Sequence, residues 1–280
     1  MNRTNLAHNP AAMSPVLNMN ALEALNKSKI APARRTPLVS QPGPAAQNAR
    51  QNHLLAALPD TAYELLLPYL ELVSIPANTV LWEVNDEVEY VYFLTDSIVS
   101  LQVETEDGAS AETAVIGNEG LVGVACCLGV SLAQGRAVVK TGGYGYRMKS
   151  CILKQAFGRS IEIQQVLLRY TQALYCQTAQ MAVCNRHHNV AQQLCRLLLS
   201  SLDRVRADEL FMKQDAMAAM LGVRRESVTA AATKLQEEGL IGYQRGQITI
   251  HDRAGLERRV CECYAVVKKE YDHLSCCHQA

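Results

Sequence analysis

The chain has 280 residues, of which 49% are hydrophobic and 19% are charged, and its formal net charge is zero. This length predicts about two domains, with enough apolar side chains for each to bury a core. Because no run of about 18 apolar residues occurs and the N-terminus lacks a charged segment followed by an apolar one, we expect a cytoplasmic protein without a membrane span.

Charge and composition divide the chain into three parts. Residues 1–52 carry six Lys and Arg against one acidic residue, residues 53–185 carry seven against fourteen, and residues 186–280 carry fourteen against twelve. An acidic middle and a mildly basic end favour two domains with different partners. Residues 1–50 are rich in Asn, Ala, Pro and Gln and lack aromatic residues. This composition predicts a disordered arm, since the segment cannot bury enough apolar surface to order itself.

A short helical pair and then a series of strands are predicted for residues 54–158. The segments 78–117 and 135–149 are rich in β-branched and aromatic residues, and turn residues such as Asn85-Asp86 divide them at intervals of roughly 8–12 residues. This pattern predicts an antiparallel barrel or sandwich.

Residues 160–186 change to a helical period. Leu167, Leu174 and Met181 recur every seven positions, with Tyr170 and Thr178 between them, which is the spacing of a coiled-coil seam. One apolar stripe between two domains needs a partner, so we predict a dimerisation helix and a parallel homodimer with these five residues at the interface. The alternative is a helix that packs on its own barrel, because amphipathicity alone does not separate the two.

Residues 187–252 predict a winged helix-turn-helix. An amphipathic helix is followed by a short helix that begins near Gln214, a tight turn that Gly222 permits, and a second helix. A hairpin with Arg245 at its tip then forms the wing. We expect residues 253–280 to form one amphipathic helix and a tail.

The second helix of such a domain lies in the major groove of DNA, with its N-terminal residues at the base edges. An arginine can donate two hydrogen bonds to guanine, a glutamate can accept one from cytosine, and hydroxyls reach phosphates. We therefore predict DNA contacts from eight residues around this helix and the wing: Gln214, Arg224, Arg225, Glu226, Ser227, Thr229, Lys234 and Arg245. The alanines that follow are interpreted as small residues that let the helix lie deep in the groove. The other interpretation of the charges is a solvated first turn with an acidic residue at the positive end of the helix dipole.

The segments "VYFLTDSIVSL" and "LGVRRESVTAAATKLQEEGLI" resemble the β-roll core strand and the recognition motif of the Crp/Fnr transcription regulators. The resemblance spans roughly residues 54–260. It implies an α+β fold with an N-terminal cyclic-nucleotide-binding-like β-roll, a long dimerisation helix and a C-terminal winged helix-turn-helix. It also implies a homodimer that binds a near-palindromic operator in double-stranded DNA and regulates transcription initiation, with RNA polymerase as a further partner.

The recognition helix departs from the family's pattern at one position. Ala230 stands where relatives often carry an arginine. Direct reading should therefore rest on Arg225 and Glu226, and the operator should differ from that of the cAMP-responsive members.

The effector pocket departs from the pattern as well. Cyclic-nucleotide binders hold the ribose with a Gly-Glu pair and the phosphate with an Arg-Ser or Arg-Thr pair. The corresponding residues here are Gly123-Val124 and Arg136-Ala137. A valine cannot accept the ribose hydroxyl bond, and a buried hydroxyl without a partner costs about 1–3 kcal/mol. We expect no strong cAMP binding, and Arg136 is interpreted either as an anion ligand or as a solvent-exposed residue at a strand end.

Histidine and cysteine clusters raise the question of a metal site, but we predict neither a metal nor another cofactor. The candidates are His187-His188, Cys261 with Cys263, and Cys276-Cys277-His278. A C-x-C pair on a helix points its thiols to different faces, and the last cluster lies at a fraying terminus. The ten cysteines are therefore expected to be reduced structural residues. A thiol redox switch at Cys126-Cys127, or at Cys176 and Cys184, is the alternative.

No nucleophile elbow, phosphate-binding loop or dinucleotide fingerprint occurs in the sequence, so we expect no enzyme. The prediction is a homodimeric DNA-binding regulator that responds to an unidentified small-molecule or redox signal. The rival is a cytoplasmic ligand- or redox-sensing module whose winged helix contacts proteins. Sequence-selective, salt-dependent DNA binding separates the two.

Overall fold

The computed structural model describes residues 48–106, 110–204 and 209–276. The predicted disordered arm therefore lies almost wholly outside the described residues, as does the end of the tail. Each helix in these ranges is too short or too polar to span a bilayer.

Two short helices, α1 (His53–Ala56) and α2 (Asp60–Leu66), precede the roll. Asn52 caps α1, because its side-chain oxygen accepts from two amides of the first turn. The amide nitrogen of the same side chain donates to the carbonyls of Leu94 and Gly120, at 2.9 and 2.8 Å. This buried asparagine thus attaches the helical pair to the roll.

Eight antiparallel strands form the roll, in two four-stranded sheets. One sheet has the order β1-β8-β3-β6 and the other has the order β2-β7-β4-β5. The β-branched and aromatic residues of the strands fill the core between the sheets, as the alternating pattern predicts. The strands are β1 (Glu71–Ile75), β2 (Val80–Trp82), β3 (Tyr90–Leu94), β4 (Ile98–Glu104), β5 (Ser110–Ile116), β6 (Leu121–Val122), β7 (Arg136–Thr141) and β8 (Gly143–Lys149).

Helix α3 (Ser150–Arg159) leaves the roll, and the long helix α4 (Ile161–His187) follows it. Ser160 lies between the two helices and caps α4, since its hydroxyl oxygen accepts from the amide of Ile163. Helix α4 then runs back along the roll with one face buried for its whole length.

The predicted coiled-coil seam is wrong for three of its five residues. Leu167, Tyr170 and Met181 are 3%, 0% and 4% exposed, because they pack within their own chain. The Tyr170 hydroxyl also donates to the carbonyl of Leu121, at 2.9 Å. The two remaining residues, Leu174 and Thr178, line a cavity of the roll. The heptad pattern in the sequence therefore marks the face with which α4 packs on its own domain.

The opposite face of α4 is also apolar. Ile161, Leu168, Tyr175 and Val183, which we call the outer stripe, are 57%, 46%, 69% and 45% exposed. The first three follow one another at intervals of seven residues, so they lie in one line along the helix. The exposed stripe is thus displaced by one residue from the predicted seam.

The C-terminal part contains the helix-turn-helix and a three-stranded wing. The wing sheet has the order β10-β11-β9, and its first strand, β9, was not foreseen from the sequence. The predicted fold class, with an N-terminal antiparallel roll and a C-terminal winged helix-turn-helix, is confirmed. The elements are α5 (Val190–Leu202), β9 (Glu209–Phe211), α6 (Gln214–Leu221), α7 (Arg225–Glu237), β10 (Ile241–Gln244) and β11 (Gln247–Ile250).

The single C-terminal helix predicted from the sequence is wrong. Two helices, α8 (Arg253–Arg259) and α9 (Glu262–Cys276), are separated by an extended connection. Val260 has φ −69° and ψ 152°, which ends α8. Helix α9 then packs against α4.

The roll and the helix-turn-helix share a hydrophobic core. Ile98 of β4 and Val115 of β5 belong to the same buried cluster as Leu197 of α5 and Met217 of α6. A buried ion pair lies at the same junction, where Nε of Arg204 is 2.7 Å from Oε1 of Glu119. The two parts of the chain are therefore held together by apolar and ionic contacts alike.

One acidic side chain is buried close to this junction. Glu112 of β5 is 5% exposed, and the hydroxyl of Ser100 donates to its Oε2 at 2.6 Å. Burial raises the pKa of the Glu112 carboxyl to about 7, and the Ser100 bond together with Lys140, Arg196 and Arg204 only partly opposes the rise. The folded chain therefore keeps a proton here that the unfolded chain releases near pH 4.5.

We expect Glu112→Gln to flatten the pH dependence of stability. In the parent protein, the stability that the protonated carboxyl confers is lost as the pH rises from about 4.5 to about 7, because only the unfolded chain has released its proton in that window. The glutamine stays neutral, so at pH 8 the variant should be more stable by up to about 3 kcal/mol, and at pH 4.5 the two should be alike. Urea unfolding at both pH values measures this, with Glu64→Gln on exposed α2 as the control; an equal effect of both substitutions would contradict the prediction.

Candidate nucleic-acid interface

The turn between α6 and α7 depends on one glycine. Gly222 ends α6 with φ 64° and ψ 33°, a left-handed conformation that suits glycine. The amide of Val223 donates back to the carbonyl of Ala218, at 3.1 Å. Val228, fully buried, then fixes α7 in the core. A helix-turn-helix needs a glycine that permits the turn and apolar residues that hold the second helix in the core, and Gly222, Val223 and Val228 stand at these positions.

The N-terminal turn of α7 is cationic and faces solvent. Arg224 is the N-cap residue, and its guanidinium can donate but not accept. The amides of Arg225 and Glu226, at the positive end of the helix dipole, can therefore donate to a phosphate oxygen. Arg224, Arg225, Glu226 and Lys234 are exposed, and Ser227 is partly exposed. The structure thus leaves these predicted charged residues accessible, with Arg224, Arg225 and Glu226 at the start of α7 and Lys234 in its last turn.

Arg225 has an ionic partner in the neighbouring helix. Its Nε lies 3.4 Å from Oδ1 of Asp215, and the two side chains are 60% and 68% exposed. A surface pair of this kind contributes about 0–1 kcal/mol. The contact orients the guanidinium over the turn at little energetic cost, so a stronger partner can displace Asp215.

Thr229 and Gln214 join the two helices. The Thr229 hydroxyl lies 2.8 Å from Oε1 of Gln214 and 3.0 Å from the carbonyl of Arg225. A hydroxyl carries a single proton, so it donates to one of these acceptors at a time. Both residues were predicted to contact DNA, and the structure gives Thr229 a clear role in fixing α7 against α6.

The wing tip lies beside the start of α6. Arg245 has φ 51° and Gly246 has φ 87°, the left-handed pair typical of a tight hairpin turn. The amide of Met212 donates to the carbonyl of Gly246 at 2.8 Å, which brings exposed Lys213 next to exposed Arg245. Lys213 was missed by the sequence reasoning, although its position directly before α6 was available as a signal.

The alanines of α7 do not serve the purpose predicted for them. Ala231 and Ala232 are 8% and 3% exposed and pack with Leu235 in the core of the helix-turn-helix. Only Ala230 faces solvent. Two of the three small residues therefore let α7 approach its neighbouring helices closely, and they do not adapt it to the groove of DNA.

A cavity of about 340 Å³ opens in the roll. Gly123 and Val124, two of the four predicted pocket residues, line it, whereas Arg136 and Ala137 do not. Arg136 lies 3.1 Å from a carboxylate oxygen of Glu83 and 3.7 Å from one of Glu104. Arg136, 27% exposed at the first position of β7, is thus held by two carboxylates, and its role as an anion ligand stays a prediction.

The cavity is mainly apolar and extends to the long helix. Among the described residues, its lining includes neither lysine nor arginine. Leu174 and Thr178 of α4 form part of the wall, so a ligand in the roll would touch α4 directly. The other large apolar residues of the lining are Trp82, Val88, Leu101, Val103, Ile116, Leu121, Val130 and Leu132.

Residues 190–259 match the family model of the Crp-like helix-turn-helix domain. The fold is similar to that of FixK2 from Bradyrhizobium japonicum, with 18% identity, a TM-score of 0.58 and coverage of 69% of this chain and 98% of the other. A Crp/Fnr-family regulator from Eubacterium rectale gives 16% identity, a TM-score of 0.58 and coverage of 75% and 98%. CLP, a c-di-GMP-responsive regulator from Xanthomonas campestris, has 17% identity and a TM-score of 0.55, and the match covers 69% of this chain and 99% of the other. A search of curated proteins finds no significant match.

We expect Ala232→Leu to destabilise the protein and Ala230→Leu to leave its stability nearly unchanged. Added methylene groups at a buried site that is already packed cost about 1–3 kcal/mol, whereas exposed substitutions usually stay within about 0.5 kcal/mol. Thermal unfolding followed by circular dichroism measures the difference. Equal melting temperatures for the two variants would show that Ala232 does not pack as described.

Proposed function

We propose that this chain, which carries a Crp-like helix-turn-helix domain on the fold of the Crp/Fnr regulators, is a homodimeric DNA-binding regulator of transcription initiation. The observation that carries the proposal is the exposed, cationic first turn of α7, presented next to the wing tip. It combines the donors that bind phosphates with the side chains that distinguish bases. The protein would act in the cytoplasm, with RNA polymerase as its further partner.

The roles of the side chains follow from their positions. Arg225 and Glu226, at the exposed start of α7, would read base edges in the major groove. Lys213, Lys234 and Arg245 would contact phosphates on either side of the groove. Ala230 is exposed on the same helix and carries no hydrogen-bonding group, so the operator would differ from those read by relatives with an arginine there.

The outer stripe supports a homodimer through α4. Its four large apolar side chains, three of which lie in one line, are each more than two-fifths exposed and form a surface that a second copy of the same helix can cover. A two-fold dimer would place its two recognition helices in successive major grooves, about 34 Å apart. The operator would then be nearly palindromic, as the symmetry of the protein requires.

The cavity supports an apolar small molecule as the effector. A cyclic nucleotide needs partners for its phosphate and its ribose hydroxyl, and Val124 offers none at the position where binders of these ligands carry a glutamate. The apolar wall suits a hydrophobic compound instead. Because Leu174 and Thr178 belong to α4, such a ligand would act on this dimerisation helix. Through α4 it would change the distance between the two recognition helices of the dimer.

Selection of bound sequences from random DNA, followed by affinity measurements with Arg225→Ala, tests the regulator. The parent protein should enrich one near-palindromic sequence and lose affinity steeply with salt. Arg225→Ala should weaken binding to that sequence roughly 5- to 150-fold, since a bidentate arginine–guanine contact contributes about 1–3 kcal/mol. The matched control is Arg159→Ala, which removes an exposed arginine at the end of α3. Failure to enrich any sequence, or an equal loss in both variants, would favour the rival sensing module.

A charged outer stripe should abolish the dimer. We expect the double variant Leu168→Glu, Tyr175→Glu to sediment as a single chain of 30.8 kDa, whereas the parent protein sediments at twice that mass, because like charges would face each other across the helix pair. Leu65→Glu, an equally exposed apolar position on α2, is the control and should remain dimeric. A double variant that stays dimeric would place the interface elsewhere.

A further inference from the structure

Four metal-ligating side chains meet where the end of α4 approaches the start of α9. Cys184 and His188 come from the end of α4, Cys261 comes from the connection between α8 and α9, and Cys263 comes from the first turn of α9. Their ligand atoms all lie within 4.8 Å of one another. The sulfur atoms of Cys184 and Cys261 are 3.6 Å apart, and that of Cys263 is 3.5 Å from Nδ1 of His188.

The C-x-C pair does not point its thiols to different faces of a helix, contrary to the prediction from the sequence. The pair does not lie within a continuous helix, because the chain is extended between α8 and α9. Cys261 precedes α9 and Cys263 belongs to its first turn, so the two thiols do not splay as they would inside a helix. Both are buried, at 3% and 0% exposure, and together with Cys184 they form a separate core cluster.

We propose that these four side chains bind one zinc ion through three thiolates and one imidazole. Zinc–sulfur bonds of about 2.3 Å in a tetrahedron separate the sulfur atoms by roughly 3.8 Å, which agrees with the observed 3.6 Å. Three protein thiolates and a histidine favour zinc over the hard cations that bind oxygen. Distances this short suit one ion shared by all four ligands and leave no room for a polynuclear cluster among them.

The surrounding side chains are arranged as a zinc site needs. The Nε2 atom of His188 lies 3.4 Å from a carboxylate oxygen of Glu262, which fixes the ring so that Nδ1 faces the sulfur atoms. The amide of Gln180 donates to the sulfur of Cys263, at 3.2 Å. Gln193 donates to the carbonyls of Cys184 and His188, at 3.3 and 2.8 Å. The backbone that carries two of the ligands is thereby held in place.

A buried arginine supplies the compensating charge. Zinc with three thiolates and a neutral imidazole carries a net charge of −1. Arg196, 8% exposed, directs Nε at the sulfur of Cys184 (3.3 Å) and Nη1 at the sulfur of Met181 (2.7 Å). A thiol and a thioether are weak acceptors for a buried guanidinium, whereas a zinc-bound thiolate is an anionic one. The metal therefore accounts for the placement of this arginine.

The site would fasten α9 to the end of α4. His188 is the C-cap residue of α4, directly before the DNA-binding part of the chain. Zinc would lock this end of the long helix to the C-terminal helices, and its binding free energy would add to the stability of the junction. This inference stands apart from the proposed function, because it concerns the fold at the junction and not the reading of DNA.

Metal analysis of the full-length protein, purified in reductant and without a histidine tag, tests the site. Plasma mass spectrometry should find one zinc per chain, and a mercurial that modifies thiols should release it. Replacement by cobalt(II) should give the visible absorption bands of a tetrahedral ion and the near-ultraviolet bands of thiolate ligands. Absence of zinc together with absence of these cobalt bands would overturn the proposal, whatever the behaviour of any variant.

Two variants locate the site. Cys263→Ser should lose most of the zinc and melt at a lower temperature, whereas Cys176→Ser, on the same helix as Cys184 and two turns before it, should keep one zinc per chain. Circular dichroism checks that both variants fold. Full zinc retention by Cys263→Ser would overturn the assignment, as would peptide mapping that finds Cys184 and Cys261 joined in a disulfide in the freshly purified parent protein.

Discussion

The inner face of α4 is buried against its own chain along its whole length, and the other features of the molecule depend on this burial. It fixes the rotation of the helix, with Tyr170 fully buried and bonded to the roll. The rotation exposes Ile161, Leu168 and Tyr175 on the opposite face. It also turns Leu174 and Thr178 toward the roll cavity and brings the ligand atoms at the end of the helix to face α9. The packing of this one face thus places the outer stripe, the cavity wall and the proposed metal ligands.

The sequence predicts the features that depend on short-range patterns. A segment of about 25 residues is enough to predict the turn at Gly222, the charged first turn of α7 and the hairpin at Arg245. Each of these features depends on local backbone geometry and residue type. The face of α4 could not be predicted in the same way. Apolar residues recur every seven positions in two registers, and the registers differ by one residue, or about 100° around the helix. Only the packing of the whole chain decides which register is buried.

The cysteine site shows a different limit of sequence reasoning. Its ligands form two pairs, 184 with 188 and 261 with 263, which are separated by more than 70 residues. The spacing of Cys261 and Cys263 indicates a metal site only if α8 is known to end before Cys261. The apolar residues continue at helical spacing from α8 into α9, so the sequence does not reveal the break between these helices. The alanines of α7 illustrate the same difficulty, since a small residue suits a close helix contact and an open groove equally well.

The junction between the roll and the helix-turn-helix restricts how a signal can reach the DNA. Separating the two parts would pull apart the Arg204–Glu119 pair and would expose to water the hydrophobic core that both parts share. A ligand that acted by separating them would have to offset the loss of this shared core, whereas an ordinary allosteric coupling amounts to about 1–3 kcal/mol. In the proposed dimer a smaller change would suffice at the outer stripe, since a shift of α4 against its partner helix would alter the distance between recognition helices while each chain keeps its own junction intact. If the chain forms the proposed dimer, the shared core favours a signal that acts between its two chains over one that acts between the domains of one chain.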